Sequence, residues 1–336
     1  MTADAGLAAA SNATFVAAII LYAVAMFGYA VEYAFGRKNR LEQPARQPVT
    51  VGGPPDVSES PDESDENDHE QNNLNTNLTP AQAVLTGRVA TVAMVLGALA
   101  HIASVLLRGL AANRWPWGNM FEFIVAVCLA GVIAWIVVVA RKLVARRLGL
   151  FTMLTTVIML GVATRVYTEA GPLVPALDSY WIAIHVLAAI VAFGIFMVGF
   201  VTAVLHLIKR RWVLLTERKK RISFPFTLGQ RLPLAETLER ITWRLHVLAF
   251  PLWTFGVIAG AVWARESWGR YWGWDPKEVW SFVAWVVYAA YLHSRATGAA
   301  GRRWAPWIAI VGWAVVLFNL FGVNLVLGGL HSYAGV

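Results

Sequence analysis

The sequence has a single cysteine and few charged residues. Cys128 lies inside an apolar run, so the chain has no Cys-x-x-Cys pair and no internal disulfide, and thiol exchange is excluded as its own chemistry. Asp, Glu, Lys and Arg make up 14% of the 336 residues, whereas about a quarter is usual in soluble domains. No internal repeat is present. The composition therefore excludes an ordinary soluble enzyme.

What the chain has instead is long apolar runs. Hydrophobic residues make up 58% of it, and the mean hydropathy is +0.56. A helix of about 20 apolar residues crosses a hydrocarbon core of about 30 Å. Runs of this kind lie at about 14–35, 83–107, 121–140, 148–166, 180–208, 243–264, 279–295 and 304–330. The predicted fold class is an all-α, polytopic membrane bundle of about eight transmembrane helices.

The formal net charge of +8 is explained by membrane topology rather than by nucleic-acid binding. Lys and Arg cluster just beyond alternate runs, at 141–147, 209–221 and 295–303, as the positive-inside rule expects for cytoplasmic loops. Both termini are therefore predicted to be extracytoplasmic. The first run lacks the basic start and small-residue cleavage site of a signal peptide, so we expect it to be retained.

Composition also divides the chain into three parts. Residues 1–40 contain the first helix, and residues 83–336 form a seven-helix core. Between them, residues 41–82 are rich in proline, then in acidic residues and then in asparagine. Such a segment cannot bury enough apolar surface to fold, so we expect a disordered cytoplasmic linker in which His69 is solvated.

The most unusual stretch is 263–280, between two apolar runs on the predicted outer side. Its aromatic residues are Trp263, Trp268, Tyr271, Trp272, Trp274 and Trp280. Anchoring at a membrane interface needs only one or two such rings, whereas this stretch has six. Gly269 and Gly273 let the backbone come close to a flat partner. The stretch predicts a platform for a large planar ligand.

Several polar residues near these aromatics also have a structural interpretation. Asp275 and Glu278, with Pro276 between them, fit a capping box, so Asp275 is predicted to be a helix cap first. The second aromatic loop on this side, 114–122, repeats that spacing at Asn119 and Glu122. Its role is either purely structural or, together with Trp117, that of another wall of the same cavity.

Six histidines lie on or beside apolar runs, and an ionisable residue at membrane depth is a functional candidate. His185 and His331 flank the tryptophan stretch at similar depth, whereas His293 is closer to the cytoplasmic side. A polar contact between helices is the alternative for each of them. No ligand role is predicted for the other three histidines, His101, His206 and His246.

Two imidazoles beside an indole wall meet the requirements of heme, which needs two axial nitrogens and a flat contact surface. Three cationic side chains near the wall suit the heme propionates, although loop charges are often simply solvated. These cations are Arg265, Arg270 and Lys277.

The same residues resemble a known signature. Residues 272–278 read Trp-Gly-Trp-Asp-Pro-Lys-Glu, which is similar to the WWD motif of heme-handling proteins. Leu-His-Ser-Arg at 292–295, Gly-Leu-His-Ser-Tyr at 329–333 and the Asn-Met-Phe-Glu element at 119–122 resemble the CcsA/ResC type of system II cytochrome c biogenesis proteins. That element usually has tyrosine where this chain has Phe121. The resemblance runs from about residue 83 to the end, and the CcmC and CcmF proteins share the WWD motif.

The resemblance implies cytochrome c assembly. The chain would bind heme b as a substrate, move it to the outer face and, with a ResB/Ccs1-type partner, attach it to Cys-x-x-Cys-His apocytochromes, a holocytochrome c synthase activity of the complex. His185 and His331 would be outer axial ligands and His293 a ligand of an inner heme. No residue pattern predicts a catalytic nucleophile. The implied location is the plasma membrane of a bacterium, or the thylakoid membrane for a plastid-type chain.

Two other classes of membrane protein stay open. A b-type electron-transfer subunit would also carry histidines in its helices, but usually as pairs stacked on the same helices. A solute transporter would account for eight spans without requiring the tryptophan stretch. Heme that co-purifies with the protein and thioether-linked product on co-expression with an apocytochrome would separate the three classes.

The alternating basic clusters generate a topology prediction. A reporter fused after Val336 is expected to be extracytoplasmic, and one inserted near Asp62 cytoplasmic, because the charged loops stay on the cytoplasmic side. Paired enzymatic reporters that are active on only one side of the membrane measure this. Activity of both insertions on the same side would contradict the topology.

Overall fold

The computed structural model of the protein describes residues 3–36, 78–172, 177 and 179–331. Within these ranges the chain is helical and contains no strand. The predicted linker lies outside them, apart from residues 78–82. The long helices are α1 Ala5–Phe35, α2 Pro80–Ala112, α3 Met120–Ala140, α4 Gly149–Arg165, α5 Tyr180–Glu217, α6 Ala235–Trp268, α7 Pro276–Ala296 and α8 Gly298–Leu317. A π-helical turn, Phe318–Gly322, and a short helix, α9 (Val323–Val326), continue α8, and 3-10 turns lie at Arg146–Leu148 and Phe226–Arg231.

Of the eight long helices in the described ranges, seven are long and apolar enough to cross a membrane, which confirms a polytopic helical membrane protein. The exception is α7. Its 21 residues span about 30 Å, which is long enough, but its Trp, Tyr, Ser and His residues make it less apolar than the others.

The contacts at its two ends show that α7 nevertheless extends from one end of the bundle to the other. At its start, Asp275 contacts His331 beyond α9, and at its other end the Ser294 hydroxyl donates to the Gly301 carbonyl in α8 at 2.6 Å. The N–H of Asp4, just before α1, donates to the carbonyl of Ala111 beside the second aromatic loop. Both described ends of the chain therefore lie at one end of an eight-helix bundle; which side of the membrane this end faces stays a prediction.

Local sequence decides where the helices start. Asp275 and Glu278 form the predicted capping box of α7. Thr79 forms another with Gln82 at the start of α2, so this helix begins before the predicted residue 83 and the linker ends earlier than predicted. In this box the N–H of Gln82 donates to the Thr79 hydroxyl and the N–H of Thr79 donates to the Gln82 side chain.

Short side chains and paired polar groups hold the helices together, as expected where lipid provides no hydrophobic driving force. The first helix packs along α2, where the Ser11 hydroxyl donates to the carbonyl of Ser104 at 2.8 Å. Tyr22 contacts Nδ1 of His101 at 3.2 Å. Nδ1 of His206 binds the carbonyl of Ala235 at the start of α6 at 2.8 Å, whereas Nδ1 of His246 binds a carbonyl of its own helix and its ring packs on Tyr291 of α7 at 4.4 Å. All three unassigned histidines are buried helix contacts.

Candidate functional site

A large cavity opens at the end of the bundle that carries the tryptophan stretch. Its empty volume, which includes the open mouth, is about 1370 Å³. The walls come from α3, α5, α6, α7 and the segment after α8, together with both aromatic loops. The lining is mostly apolar and aromatic, so the cavity suits a large planar ligand.

One face of α6 forms the long wall of the cavity. Trp253, Val257, Gly260, Ala264 and Trp268 line it, at the three- and four-residue spacings that share a helix face. A Cβ atom at Gly260 would lie only 2.7 Å from ring atoms of His185. Glycine at this position therefore leaves the room that the imidazole occupies.

The two outer histidines, His185 and His331, both line the cavity, and each has its Nδ1 atom bound to an acceptor. Nδ1 of His185 lies 2.6 Å from the Gly256 carbonyl, and Nδ1 of His331 lies 2.8 Å from Oδ1 of Asp275. A carbonyl and an ionised carboxylate only accept hydrogen bonds, so each ring in its neutral form carries the proton on Nδ1. The lone pair is then on Nε2, the nitrogen through which such a ring ligates a metal.

A single indole lies next to both histidines. The Trp263 ring centroid lies 6.5 Å from that of His185, with the rings nearly parallel, and 5.9 Å from that of His331. Trp268 meets Trp263 edge-on at 4.7 Å and His331 at 5.0 Å. These four rings come from α5, α6 and the chain after α9, and only the fold brings them together.

Asp275 lies behind His331 rather than in the cavity lining. Its carboxylate caps α7 through the N–H of Lys277 and also accepts the N–H of Leu330 at 2.7 Å. Burial alone would raise the pKa of Asp275, but the hydrogen bonds from His331 and Leu330 outweigh it and lower this pKa to about 2. The carboxylate is therefore ionised at neutral pH.

Of the three predicted cations, the structure brings only Lys277 into the cavity lining. Its ammonium group donates to the Asn319 carbonyl at 2.7 Å and to Oδ1 of Asn324 at 2.9 Å. Arg265 binds the Gly269 carbonyl, and Arg270 lies 3.7 Å from the Glu278 carboxylate. Both arginines thus stabilise the turn that carries the tryptophans.

The remaining aromatics of the stretch divide between the lining and the rim. Trp272 and Tyr271 line the cavity. Trp274 lies outside the lining, is 70% exposed and has a φ of 59°, a strained value for a bulky residue of the kind that clusters at functional sites. Trp280 packs on Phe318 at 4.2 Å, away from the cavity, and contributes to the bundle instead.

The second aromatic loop forms another wall of the cavity. Trp117 and Asn119 line the cavity, and Trp115 joins them, with its ring stacked on that of Trp117 at 5.4 Å. Asn119 also caps α3 by accepting the N–H of Glu122 at 2.9 Å. This loop therefore has both features considered for it from the sequence, because it caps α3 and also lines the cavity.

Glu122 does not line the cavity but holds this wall from behind. Its carboxylate, 1% exposed, accepts Nε of Arg108 at 3.0 Å, Nη1 of Arg114 at 2.7 Å and the N–H of Gly118 at 2.8 Å. Arg108 also donates to the Thr168 carbonyl. One buried carboxylate thus joins α2, α3 and the aromatic loop.

His293 lies away from this cavity. It is exposed on the outward face of α7, in a stripe with Phe282, Val286 and Ala290. Each of the other histidines in the described ranges is buried or lines the cavity. The described part of the chain therefore places no second histidine on this surface.

Sequence reasoning missed several residues that line the cavity. Trp253, Ser281, Asn319 and Asn324 all lie within apolar runs and contact one another or Lys277 across helices. The two asparagines had a usable signal, because amides within a membrane-spanning run are expensive unless they have a role. Asn319 lies in the π-helical turn and Asn324 just after it, and no sequence pattern predicted this turn.

Comparison with known proteins gives a family and a fold. Residues 117–331 match the profile of the cytochrome c assembly protein family. The cytochrome c biogenesis proteins CcsA of Synechococcus elongatus and Gloeobacter violaceus are 36% and 34% identical to this chain. These matches cover 73% and 69% of this chain, and 87% and 84% of the relatives.

A solved structure, that of the cytochrome c heme lyase CcmF, is similar in fold. The TM-score is 0.59 at 17% identity, over 96% of this chain and 47% of that one. The chain therefore spans about half the length of that structure, and the likeness concerns the fold alone.

The buried carboxylate of Glu122 generates a stability prediction. Glu122→Ala leaves Arg108 and Arg114 without their anion, so the free energy of unfolding should fall by about 3–5 kcal/mol. Thermal unfolding of the purified protein in detergent measures this.

Glu266→Ala is the matched control. Glu266 is exposed and accepts one hydrogen bond from Ser179 at 2.8 Å, so its loss should cost less than about 1 kcal/mol. Equal effects of the two substitutions would contradict the structural role given to Glu122.

Proposed function

The chain belongs to the cytochrome c assembly protein family, as a CcsA-type multi-pass membrane protein of cytochrome c biogenesis, and on that premise we propose that its cavity binds heme between His185 and His331. Heme b is the substrate of this site rather than a resident cofactor. The cavity faces the extracytoplasmic side, in the bacterial plasma membrane or, for a plastid-type chain, the thylakoid membrane.

One observation carries this proposal. Two histidines from distant parts of the chain line the same cavity, and the acceptor on each Nδ1 leaves the lone pair on Nε2. His206 and His246 also bind a carbonyl through Nδ1, but neither lines the cavity, so the distinguishing feature of His185 and His331 is that both rings, held in this way, line one cavity. Two such ligands beside indole walls suit a bis-histidine heme.

The rest of the cavity supports the same ligand. The α6 face and the Trp115–Trp117 pair provide two aromatic walls for the macrocycle, and Lys277 provides a cation for a propionate. Placing the iron between the histidines fixes the position of the ring edge relative to the mouth. The vinyl groups would then be presented to a peptide that approaches from outside.

Attachment of heme needs positioning more than acid–base chemistry. Each cysteine thiol of a Cys-x-x-Cys-His apocytochrome adds across one vinyl double bond, forming a C–S bond while its hydrogen goes to the other vinyl carbon. Holding both reactants in one orientation accelerates such a step through proximity. The complex would act as a holocytochrome c synthase, with this chain binding and orienting the heme.

His293 supports a second, inner heme position. An exposed imidazole on a less apolar helix is unfavourable in lipid, so a covering protein surface is expected there. A membrane partner of the ResB/Ccs1 type would cover the α7 stripe and supply the second axial ligand. Heme would pass from this position to the outer cavity.

The outer pair generates the main test. Replacing His185 or His331 with Gly removes one axial ligand and leaves a gap of imidazole size. The low-spin bis-histidine absorbance of the purified complex should disappear and cytochrome c maturation should fall. Added imidazole should restore both in part, since free imidazole replaces the ligand but not a helix contact. Normal maturation by either variant without imidazole would contradict the ligand assignment.

Trp272→Ala is the contrasting variant. Trp272 lines the cavity without offering a ligand, so its loss removes planar contact area. Heme retention should weaken, and imidazole should not restore it. Recovery by imidazole in this variant would mean that the rescue does not report coordination.

The inner position generates a separate prediction. His293→Ala should lower the amount of heme that co-purifies with the complex, while insertion of the chain into the membrane stays unchanged, because one histidine alters little of the hydropathy of the span. Val286→Ala, on the same exposed stripe, should leave the heme content unchanged. An unchanged heme content in the His293→Ala complex would mean that His293 is a packing contact and not a heme ligand.

A further inference from the structure

The two outer histidines differ in what holds them. Nδ1 of His185 is bound to a neutral backbone carbonyl, at 2.6 Å from the Gly256 oxygen. Nδ1 of His331 is bound to the ionised carboxylate of Asp275 at 2.8 Å. This asymmetry is not required for ligation, because either acceptor alone fixes the tautomer and the ring orientation.

The carboxylate of Asp275 is itself held firmly. Its side chain is 4% exposed, Oδ2 accepts the N–H of Leu330 at 2.7 Å, and Oδ1 accepts the N–H of Lys277 at 3.1 Å. A Cβ atom at Gly329 would lie 2.6 Å from Oδ2, so the chain before His331 packs directly on the carboxylate. The distance between Asp275 and His331 is thereby set by the backbone on both sides.

We propose that Asp275 is a positioning residue that acts through His331 to lower the reduction potential of heme bound in the outer cavity. This inference rests on the proposed function. A carboxylate that accepts the Nδ1–H of an iron-bound imidazole gives the ring anionic character and makes it a stronger donor to iron. Ferric iron is stabilised more than ferrous iron, so the potential falls.

The asymmetry would also give the two ligands different roles. His331 would be the stronger ligand and would stabilise the ferric state, whereas His185, on a neutral carbonyl, would be the weaker one. Because Asp275 also caps α7, the stronger ligand is tied to the start of the helix that follows the tryptophan stretch.

The test is a redox titration of the heme-loaded complex, followed by its absorbance spectrum. Asp275→Asn keeps the size and the capping ability of the side chain but removes its charge. We expect the low-spin bis-histidine spectrum to persist and the midpoint potential to shift to a more positive value. A midpoint equal to that of the wild type would overturn the inference.

Glu278→Gln is the matched control for charge. Glu278 is a second buried carboxylate in the same turn, and it accepts the N–H groups of Gly273 and Asp275 without contacting either histidine. The midpoint potential should shift clearly less in Glu278→Gln than in Asp275→Asn. Equal shifts would mean that the potential responds to charge in the cavity and not to the hydrogen bond to His331.

Gly329→Ala tests the same hydrogen bond without changing any charge. The added methyl group would displace the Asp275 carboxylate from His331, so the midpoint should again become more positive, and an unchanged midpoint would count against the inference. This variant also serves if Asp275→Asn does not accumulate. A wild-type complex that binds no heme would overturn the proposed function, and the inference with it.

Discussion

The hydrogen bond between Asp275 and His331 is the contact on which the outer cavity depends. It joins the start of α7 to the last described residue of the chain, which lies beyond the π-helical turn and α9. The same carboxylate caps α7 and holds Leu330. A carboxylate away from bulk water is stable only when its acceptor sites are filled. The requirement to satisfy Asp275 therefore brings a candidate ligand to the tryptophan stretch.

Glu122 plays a comparable part at the wall formed by the second aromatic loop. Two arginines and a backbone N–H surround its carboxylate, and the aromatic loop follows from their positions. In both walls a buried acid orders a loop that carries indole rings. Apolar helices pack tolerantly in lipid, whereas paired charges and hydrogen bonds accept one geometry. The polar residues thus define the cavity that the aromatic residues line.

Hydropathy and capping signals predicted most of the helical framework. Eight apolar runs became eight long helices in the described ranges, and the capping box at Asp275 formed as predicted. The site was predicted less completely. His185, His331 and Trp263 come together, but Arg265 and Arg270 bind their own turn. Spacing along a chain cannot tell a side chain that lines a cavity from one that supports the wall behind it.

The sequence by itself determined that the protein is a membrane bundle with aromatic loops at one end, because hydropathy, charge and caps act over one helix or one turn. Only the tertiary structure decided which imidazole nitrogen carries the lone pair, since that depends on acceptors from α6 and from the cap of α7. It also decided that His293 faces outward, because the side that a helix presents depends on its neighbours. Contacts between distant segments settle these points, and no local pattern encodes them.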